Sequence, residues 1–440
     1  MKIGLIAPPW LSVPPLGYGG TEMVIDLLAR GLHARGHDVV LFATGDSRCP
    51  VPTMWEFPAA LSTRSADDHA AHVRHLDAAY RHLTQADVEV IHDHTVLGPT
   101  LHDPGVPVVA TMHGVMDEAT RQLCGQFPPD VAVVAISASQ RDSAPEVEFR
   151  AIIHHGIDVA RVPFGTGSGG YLLFLGRMSR TKGARTAIDI ARAARIPLTM
   201  AAKVSDEGEQ RYFSQEIEPL LGGDVTFVGE ADAGHKQALI GGAMGLLNPI
   251  KWREPFGLVM IESLAAGTPV IAAPQGAATE IIEQGRTGFL CPTLADAIDA
   301  CHAIGTLSRD DCRAVAQERF SADRMVAHHE SLYLDLVHQQ ITIAPAVAAA
   351  GRERRSAARG LFARRDACPD CGRPFDFAIT RGHVTLHCDQ CHRNWRKDLG
   401  AIYRLDDATA TAGHPAPPEP WGLVRRPVVQ RSPAETVARQ

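Results

Sequence analysis

Two short motifs carry most of the chemistry legible in this sequence. Phe174-Leu-Gly-Arg-Met-Ser-Arg-Thr-Lys-Gly183 places two cations, Arg177 and Lys182, on one glycine-flanked stretch. Further on, Glu254-Pro-Phe-Gly-Leu-Val-Met-Ile-Glu262 brackets an apolar, glycine-containing segment with two carboxylates. Cations in such a loop hold phosphates and offset the negative charge that builds on a departing diphosphate. Glu262 suits hydrogen bonds from ribose hydroxyls, and Glu254 suits orientation of a hexose. Phe256-Gly257 between them exposes backbone amides, because glycine permits close approach.

Each motif has a plainer reading, as a generic basic loop or as solvated helix glutamates. The surrounding run is apolar and punctuated by Gly and Pro, which disfavours two idle surface charges. A hydrolase using the two carboxylates fits poorly. If both lay on one helix they would stand about 12 Å apart by the rise per residue, wider than either glycosidase geometry allows. A dinucleotide-dependent oxidoreductase fits worse, since the first strand opens into Ala7-Pro-Pro-Trp-Leu11 and not into a compact G-x-G-x-x-G turn.

These residues need a scaffold, and the chain spells one out. Apolar runs at 2–7, Asp38–Ala43, Val88–Ile91, Val106–Thr111 and Val131–Ile136 read as buried strands, with helices over 21–35, 67–85 and 117–124. After the Gly/Ser stretch 165–170 a second series begins. Its strands are Tyr171–Leu175, Leu198–Ala202, Val225–Val228, Met244–Leu247 and Pro269–Ala272, with helices over 183–194, 207–220, 257–266, 276–284 and 293–304. Short apolar strands alternating with helices predict parallel sheets covered on both faces. Ligands of such sheets sit beyond the carboxyl ends of the strands, where Arg177 and Lys182 fall.

In the first half, Tyr18-Gly19-Gly20-Thr21-Glu22 joins the first strand region to its helix. Its glycines suit close approach to donor phosphate or acceptor, against the alternative of a purely structural turn. His113 follows the strand ending at Thr111-Met112. His92-Asp93-His94 also follows a strand and has an acceptor-facing or metal-ligating reading. His154-His155-Gly156-Ile157-Asp158 lies near the junction and reads as a shaped interdomain turn.

The order and separation of these motifs resemble the large family 4 of retaining glycosyltransferases with the GT-B fold, over about residues 1–340. The matching positions are Gly19-Gly20, Thr111-Met-His-Gly114, Gly176-Arg177-x4-Lys182-Gly183 and Glu254-x7-Glu262. The resemblance implies an α/β fold of two Rossmann-like domains enclosing a cleft, with the nucleotide sugar bound mostly by the second. It implies that Arg177 and Lys182 contact the diphosphate, Glu262 the ribose and Glu254 the donor sugar. Gly19 and Gly20 join the donor cleft, and the backbone of Phe256, Gly257 and Leu258 lies near sugar and phosphate. His113 then stands beside the transferred sugar in a positioning or stabilising role. The family commonly has Asn where His155 stands, which leaves that position without an inherited role. Retention of anomeric configuration and chemistry without a catalytic divalent metal complete the implication.

Behind this part, Cys368-x2-Cys371 and Cys388-x2-Cys391 enclose 16 intervening residues. Two such pairs complete a tetrahedral Zn2+ site with no open position, so a structural zinc ribbon is expected and a catalytic zinc is not. The other five cysteines are scattered and read as core hydrophobes. Expected bounds are 1–164 for the acceptor-side domain, 165–325 for the nucleotide-sugar domain and 326–342 for a closing helix. A basic linker at 343–365, the ribbon at 366–405 and a Pro/Ala/Thr-rich tail at 406–440 follow.

Composition sets outer limits. At 440 residues the chain exceeds one hydrophobic core, and a formal charge of −7 argues against bulk nucleic-acid binding. No apolar run approaches a bilayer's thickness, and Met1–Ala7 reads as a buried strand before Pro8-Pro9, not as a signal peptide. A cytoplasmic location is the default expectation. The reading is transfer of a hexosyl group from a UDP-sugar, ahead of a GDP-sugar, to a hydroxyl acceptor. The rival is a non-catalytic nucleotide-sugar-binding protein whose ribbon recruits a protein or nucleic-acid partner. The ribbon also allows self-association.

Overall fold

The structure is a computed structural model that describes residues 1–61, 67–101, 104–340 and four strands between 376 and 404, with side chains described only up to 340, apart from 62–68, 102 and 103. It divides into two compact units, Met1–Arg352 and Glu353–Gln440.

The first unit holds two parallel sheets. One is built from β1 (Lys2–Ile6), β2 (Asp38–Ala43), β3 (Thr53–Trp55), β4 (Val90–Asp93), β5 (Val108–Thr111), β6 (Ala132–Ala135) and β7 (Phe149–Ile152), in the order 3-2-1-4-5-6-7. The other contains β8 (Leu172–Arg177), β9 (Leu198–Lys203), β10 (Val225–Phe227), β11 (Gly245–Asn248), β12 (Val270–Ala272) and β13 (Gly288–Leu290), in the order 10-9-8-11-12-13. Central strands such as β4, β5 and β11 are buried at every residue, as a sheet covered on both faces requires. Each order reverses beside its first strand, between β1 and β4 and between β8 and β11. Ligand crevices of open sheets form at such switch points.

The sequence places most central strands within two or three residues, and the structure adds the short edge strands β3, β7 and β13. Two expected helices are shorter. The helix over 207–220 is α-helical only for Glu207–Tyr212, then continues as a π turn, Phe213–Ile217, and a 3-10 turn, Glu218–Leu220. Pro219 has no N–H to continue the regular ladder. The helix over 276–284 is confined to Ala278–Ile281, because Gly276 sits at φ +60° and Ile282 is extended.

A helix over 322–340 returns to the first sheet. Its Met325, Val326, Leu332 and Tyr333 join the core formed by Ile3, Leu5, Val24, Leu28 and Val109. Gly31 on the opposing helix makes the crossing possible, since a Cβ there would run into Val326. Leu258 packs against both this core and that of the second sheet, so the halves share apolar contact beside the expected donor segment. Among the described residues, no helix is long and apolar enough to cross a membrane.

The second unit holds four antiparallel strands, β14 (Asp376–Thr380), β15 (His383–Cys388), β16 (Arg393–Asp398) and β17 (Ala401–Arg404), in sequential order. Strand β15 ends on Cys388, which pairs in register with Arg393. Cys368, Cys371 and Cys391 lie outside the described residues, as do the whole expected linker and tail.

Candidate active site

The two sequence motifs meet at the carboxyl end of the second sheet. Arg177 is the last residue of β8, and Lys182 stands at the end of the loop that follows. Gly183 then caps the helix Ala184–Ala194 at φ +78°, where a Cβ would collide with the carbonyl oxygen of Pro249. That contact seats the cation loop against the loop after β11, which carries Glu254. Gly257, at φ +100°, turns this second loop into the helix Leu258–Ala265, so Glu254 lies before the helix and Glu262 within it.

Lys182 and Glu254 face each other directly. The ammonium donates to both carboxylate oxygens at 2.7 and 2.6 Å, and the Trp252 indole N–H donates to Oε2 at 2.9 Å. The Lys182 Nζ also stands 5.4 Å from the centre of the Trp252 ring. Arg177 is held from another side. Its Nε donates to Glu209 Oε1 at 2.7 Å, and its Nη2 reaches Asp206 Oδ2 at 3.1 Å. Glu209 is buried, and its other oxygen accepts from the backbone and hydroxyl of Ser205 at 2.9 and 2.8 Å. Asp206 caps the helix Glu207–Tyr212 by accepting from the Glu209 amide. Glu262, a turn farther on, accepts from Lys236 Nζ at 2.7 Å.

Arg177, Lys182, Asp206, Glu209, Trp252 and Glu254 line a cavity of about 500 Å³, which Tyr18 also walls. Tyr18 comes from the first sheet's domain, so the cavity spans the two halves. Its phenol is pushed above the ordinary value by desolvation and then by Glu254, an effect opposed by Arg177. Gly20 stands nearby across the cleft: a Cβ there would lie 3.0 Å from Leu258 Cδ1. Gly19 caps the same helix with its Cα facing Pro15 and Leu11. The residues lining the cavity include Arg177, Lys182 and Glu254, but not Gly19, Gly20, His113, Phe256, Gly257, Leu258 or Glu262.

His113 belongs to a separate file of imidazoles. Its Nε2 lies 2.9 Å from His94 Nδ1 and its Nδ1 lies 3.3 Å from His155 Nε2, so both ring nitrogens are engaged within the protein. His155 stands edge-on to Phe256 at 5.1 Å and carries the file to the Glu254–Glu262 segment. His92 is buried against Tyr333 and Thr111, at 2.6 and 2.7 Å. Asp93, also buried, accepts from the Tyr80 hydroxyl and the Thr95 amide. The His92-Asp93-His94 stretch is thus buried within the protein. No group of metal-ligating side chains is found among the described residues. Burial drives His113 down to about 3 and His329, which packs beside His92, to about 4.

Sequence reading alone does not single out Asp206, Glu209, Trp252, Lys236 or, as a cavity wall, Tyr18. A usable signal exists for two of them. Ser205-Asp-Glu-Gly-Glu209 follows β9, the strand beside β8, and an acid in that position falls at the carboxyl edge of the sheet.

Comparison with known proteins gives this geometry a context. The model of the glycosyltransferase family 4 matches residues 18–161, and that of the glycosyl transferases group 1 matches residues 165–321. A glycogen synthase of Mycobacterium tuberculosis is 28% identical over 376 residues, covering 71% of this chain and 88% of that protein. A phosphatidyl-myo-inositol mannosyltransferase of Mycolicibacterium smegmatis is 26% identical over 348 residues, covering 71% and 86%. Among solved structures, a glycosyltransferase involved in avilamycin A biosynthesis superposes with a TM-score of 0.59 at 25% identity, covering 77% of this chain and 98% of that one.

Proposed function

Because the chain belongs to the group 1 and family 4 glycosyltransferases, we infer that it moves a hexosyl group from a nucleotide diphosphate sugar to a hydroxyl acceptor with retained anomeric configuration. The observation that carries this reading is the convergence of Arg177, Lys182 and Glu254 on one cavity walled across the cleft by Tyr18. The cations suit the diphosphate, and Glu254 suits the hexose. Glu262, outside the cavity lining but held by Lys236 on the helix that follows, is assigned to the ribose.

In this reading the acceptor oxygen attacks the anomeric carbon as its bond to the diphosphate oxygen breaks. Positive character grows on the sugar while negative charge grows on the leaving group. Arg177 and Lys182 stand where they offset that charge, and they do so without a divalent metal. The leaving phosphate takes the acceptor proton on the same face. A fixed cavity of this kind contributes chiefly by alignment and by charges already oriented before reaction. His113 is assigned to shaping the sugar pocket through its ring edge, since both its nitrogens are engaged by His94 and His155.

The rear unit is assigned a structural Zn2+ held by Cys368, Cys371, Cys388 and Cys391. Support comes from the paired spacing and from Cys388 standing at the end of β15. When bound, such an ion cross-links short strands. Metal analysis of the purified chain should find one zinc per chain, lost in Cys388→Ser; a metal-free wild type would rule this out.

The transferase reading is tested by incubating the full chain with a panel of UDP- and GDP-sugars and pooled hydroxyl acceptors, with mass spectrometry of nucleotide release and product. Consumption of one donor with a matching acceptor adduct is expected. Tight donor binding with neither transfer nor slow hydrolysis would favour the binding-protein alternative.

A further inference from the structure

Glu280 lies in the short helix Ala278–Ile281 of the second sheet's domain, yet its carboxylate is committed to the first. One oxygen accepts from the Ser139 amide at 2.7 Å, the other from the Ala138 amide at 2.8 Å. The His154 Nε2–H donates to the latter oxygen at 3.0 Å. Glu280 and His154 are each only 18% exposed, so these contacts are sheltered from solvent competition. The carboxylate is held below its ordinary range despite desolvation, by the hydrogen bond from His154 and then by the two amides.

The same segment also holds the donor motif. The Ala277 amide donates to the Glu254 carbonyl at 3.0 Å, and Gly276 packs so closely on Glu254 that a Cβ would collide with its backbone. His154 stands 5.7 Å from the Phe256 ring. Residues 276–280 therefore grip the Glu254 loop at one end and the opposite domain at the other.

We propose that Glu280 is a positioning residue for glycosyl transfer, pinning the Ala138 and Ser139 amides so that the acceptor-side domain keeps a fixed distance from the Glu254 loop. This rests on the transferase reading. Removing the pin leaves the donor cavity intact, because Glu280 is not among its lining residues, but it loosens alignment between donor and acceptor. A misplacement of about 1 Å at a reacting centre costs about 10²-fold in rate.

The test uses the full chain and three variants. Glu280→Ala removes the pin, and Glu280→Gln keeps one good acceptor oxygen. Ala138→Pro removes one donor from the other side of the cleft. Ala138 is the first residue of its helix and follows the extended Ser137, a setting that accepts proline. In Glu280→Ala, kcat should fall about 10²-fold with alignment lost, while donor KM and the affinity for UDP or GDP change less than about twofold. Glu280→Gln should recover part of that rate. Ala138→Pro should lower kcat in the same direction. A double variant combining Glu280→Ala with Ala138→Pro should be no slower than Glu280→Ala alone, since coupled residues are not additive.

Wild-type kcat in Glu280→Ala, a parallel loss of nucleotide affinity, or fully additive effects would each overturn the proposal. If the wild type consumes no nucleotide sugar, the transferase reading fails separately. The pin is then judged by amide exchange of residues 137–143: faster exchange in Glu280→Ala supports it, and unchanged exchange rejects it.

Discussion

Lys182 and Glu254, 72 positions apart in sequence, share a two-pronged contact in which one ammonium spans both carboxylate oxygens at 2.7 and 2.6 Å. Each is the other's counter-ion. Arg177 is likewise committed to Glu209 and Asp206. On the proposed reading, a donor entering this site exchanges protein partners for its own phosphates and hydroxyls, so its affinity depends on a difference between two sets of charge contacts.

A first prediction separates chemistry from structural pairing. Lys182→Ala or Glu254→Ala should lower kcat by about 10²–10³-fold, the usual cost of losing one electrostatic stabiliser. Exchanging the charges, Lys182→Glu with Glu254→Lys, rebuilds an ion pair but sets a carboxylate against the diphosphate. Turnover of that double variant should stay at or below the single variants while its thermal midpoint recovers. Restored turnover would mean that the pair serves the fold alone.

A second concerns Asp206, which on the proposed reading competes with phosphate for Arg177 at an exposed position. Asp206→Asn retains the helix cap, because Asn and Asp serve equally there. Exposed ion pairs are worth about 0.2–1 kcal/mol, so UDP or GDP should bind up to about fivefold more tightly. The gain should shrink as salt screens the site. Calorimetric titration at low and high ionic strength checks it, and weaker binding in the variant at low salt would reverse the argument.

A third tests the glycine that seats the cation loop. Gly183→Ala adds a methyl group against the Pro249 carbonyl in a left-handed conformation. Strain of that kind costs about 1–3 kcal/mol, and relief requires the Lys182 loop to back away from Glu254. Both the denaturation midpoint and donor affinity should fall. An unaffected midpoint would show that the loop has room to adjust.

How far the sequence reveals this arrangement differs between scaffold and site. Strands such as Asp38–Ala43 are legible because burial on both faces makes every residue after the exposed Asp38 apolar. Arg177, Lys182 and Glu254 are legible because glycines bend their loops at positions where ligands of parallel sheets gather. The partners that restrain them are not: Glu209 meets Arg177 only because β9 lies beside β8, and Trp252, two residues from Glu254 on the same loop, gives no sign in sequence of where its indole N–H points. His113 illustrates the limit well: its place after β5 is readable, whereas its capture between His94 and His155 requires loops from three strands to converge. Glu280 is illegible for the same reason, as its partners belong to the other domain.

A final prediction follows from the buried imidazoles. Burial lowers the pKa of His75 and His329 to about 4, that of His113 to about 3, and those of His92, His94 and His155 well below the ordinary value. These rings are therefore neutral in the folded chain at neutral pH, whereas in the unfolded chain they take up protons near pH 6.5. Below that value the unfolded state binds more protons, so stability is fully present above about pH 6.5 and declines as pH falls toward 4. Each ring contributes a slope of up to about 1.4 kcal/mol per pH unit within its window. Glu280 and Glu283, whose carboxylates are depressed, act only at lower pH, while buried Asp93, raised to about 6, takes up its proton in the fold first and offsets part of the slope, so the net decline between 6.5 and 5 is assigned to the histidines. Urea midpoints measured from pH 8 to 5 at constant ionic strength should fall steeply. His75→Gln retains a donor for the Ala7 carbonyl and removes one titrating ring, so it should flatten the slope. A midpoint that holds constant down to pH 5 would show that these rings are already protonated in the fold or hydrated within it.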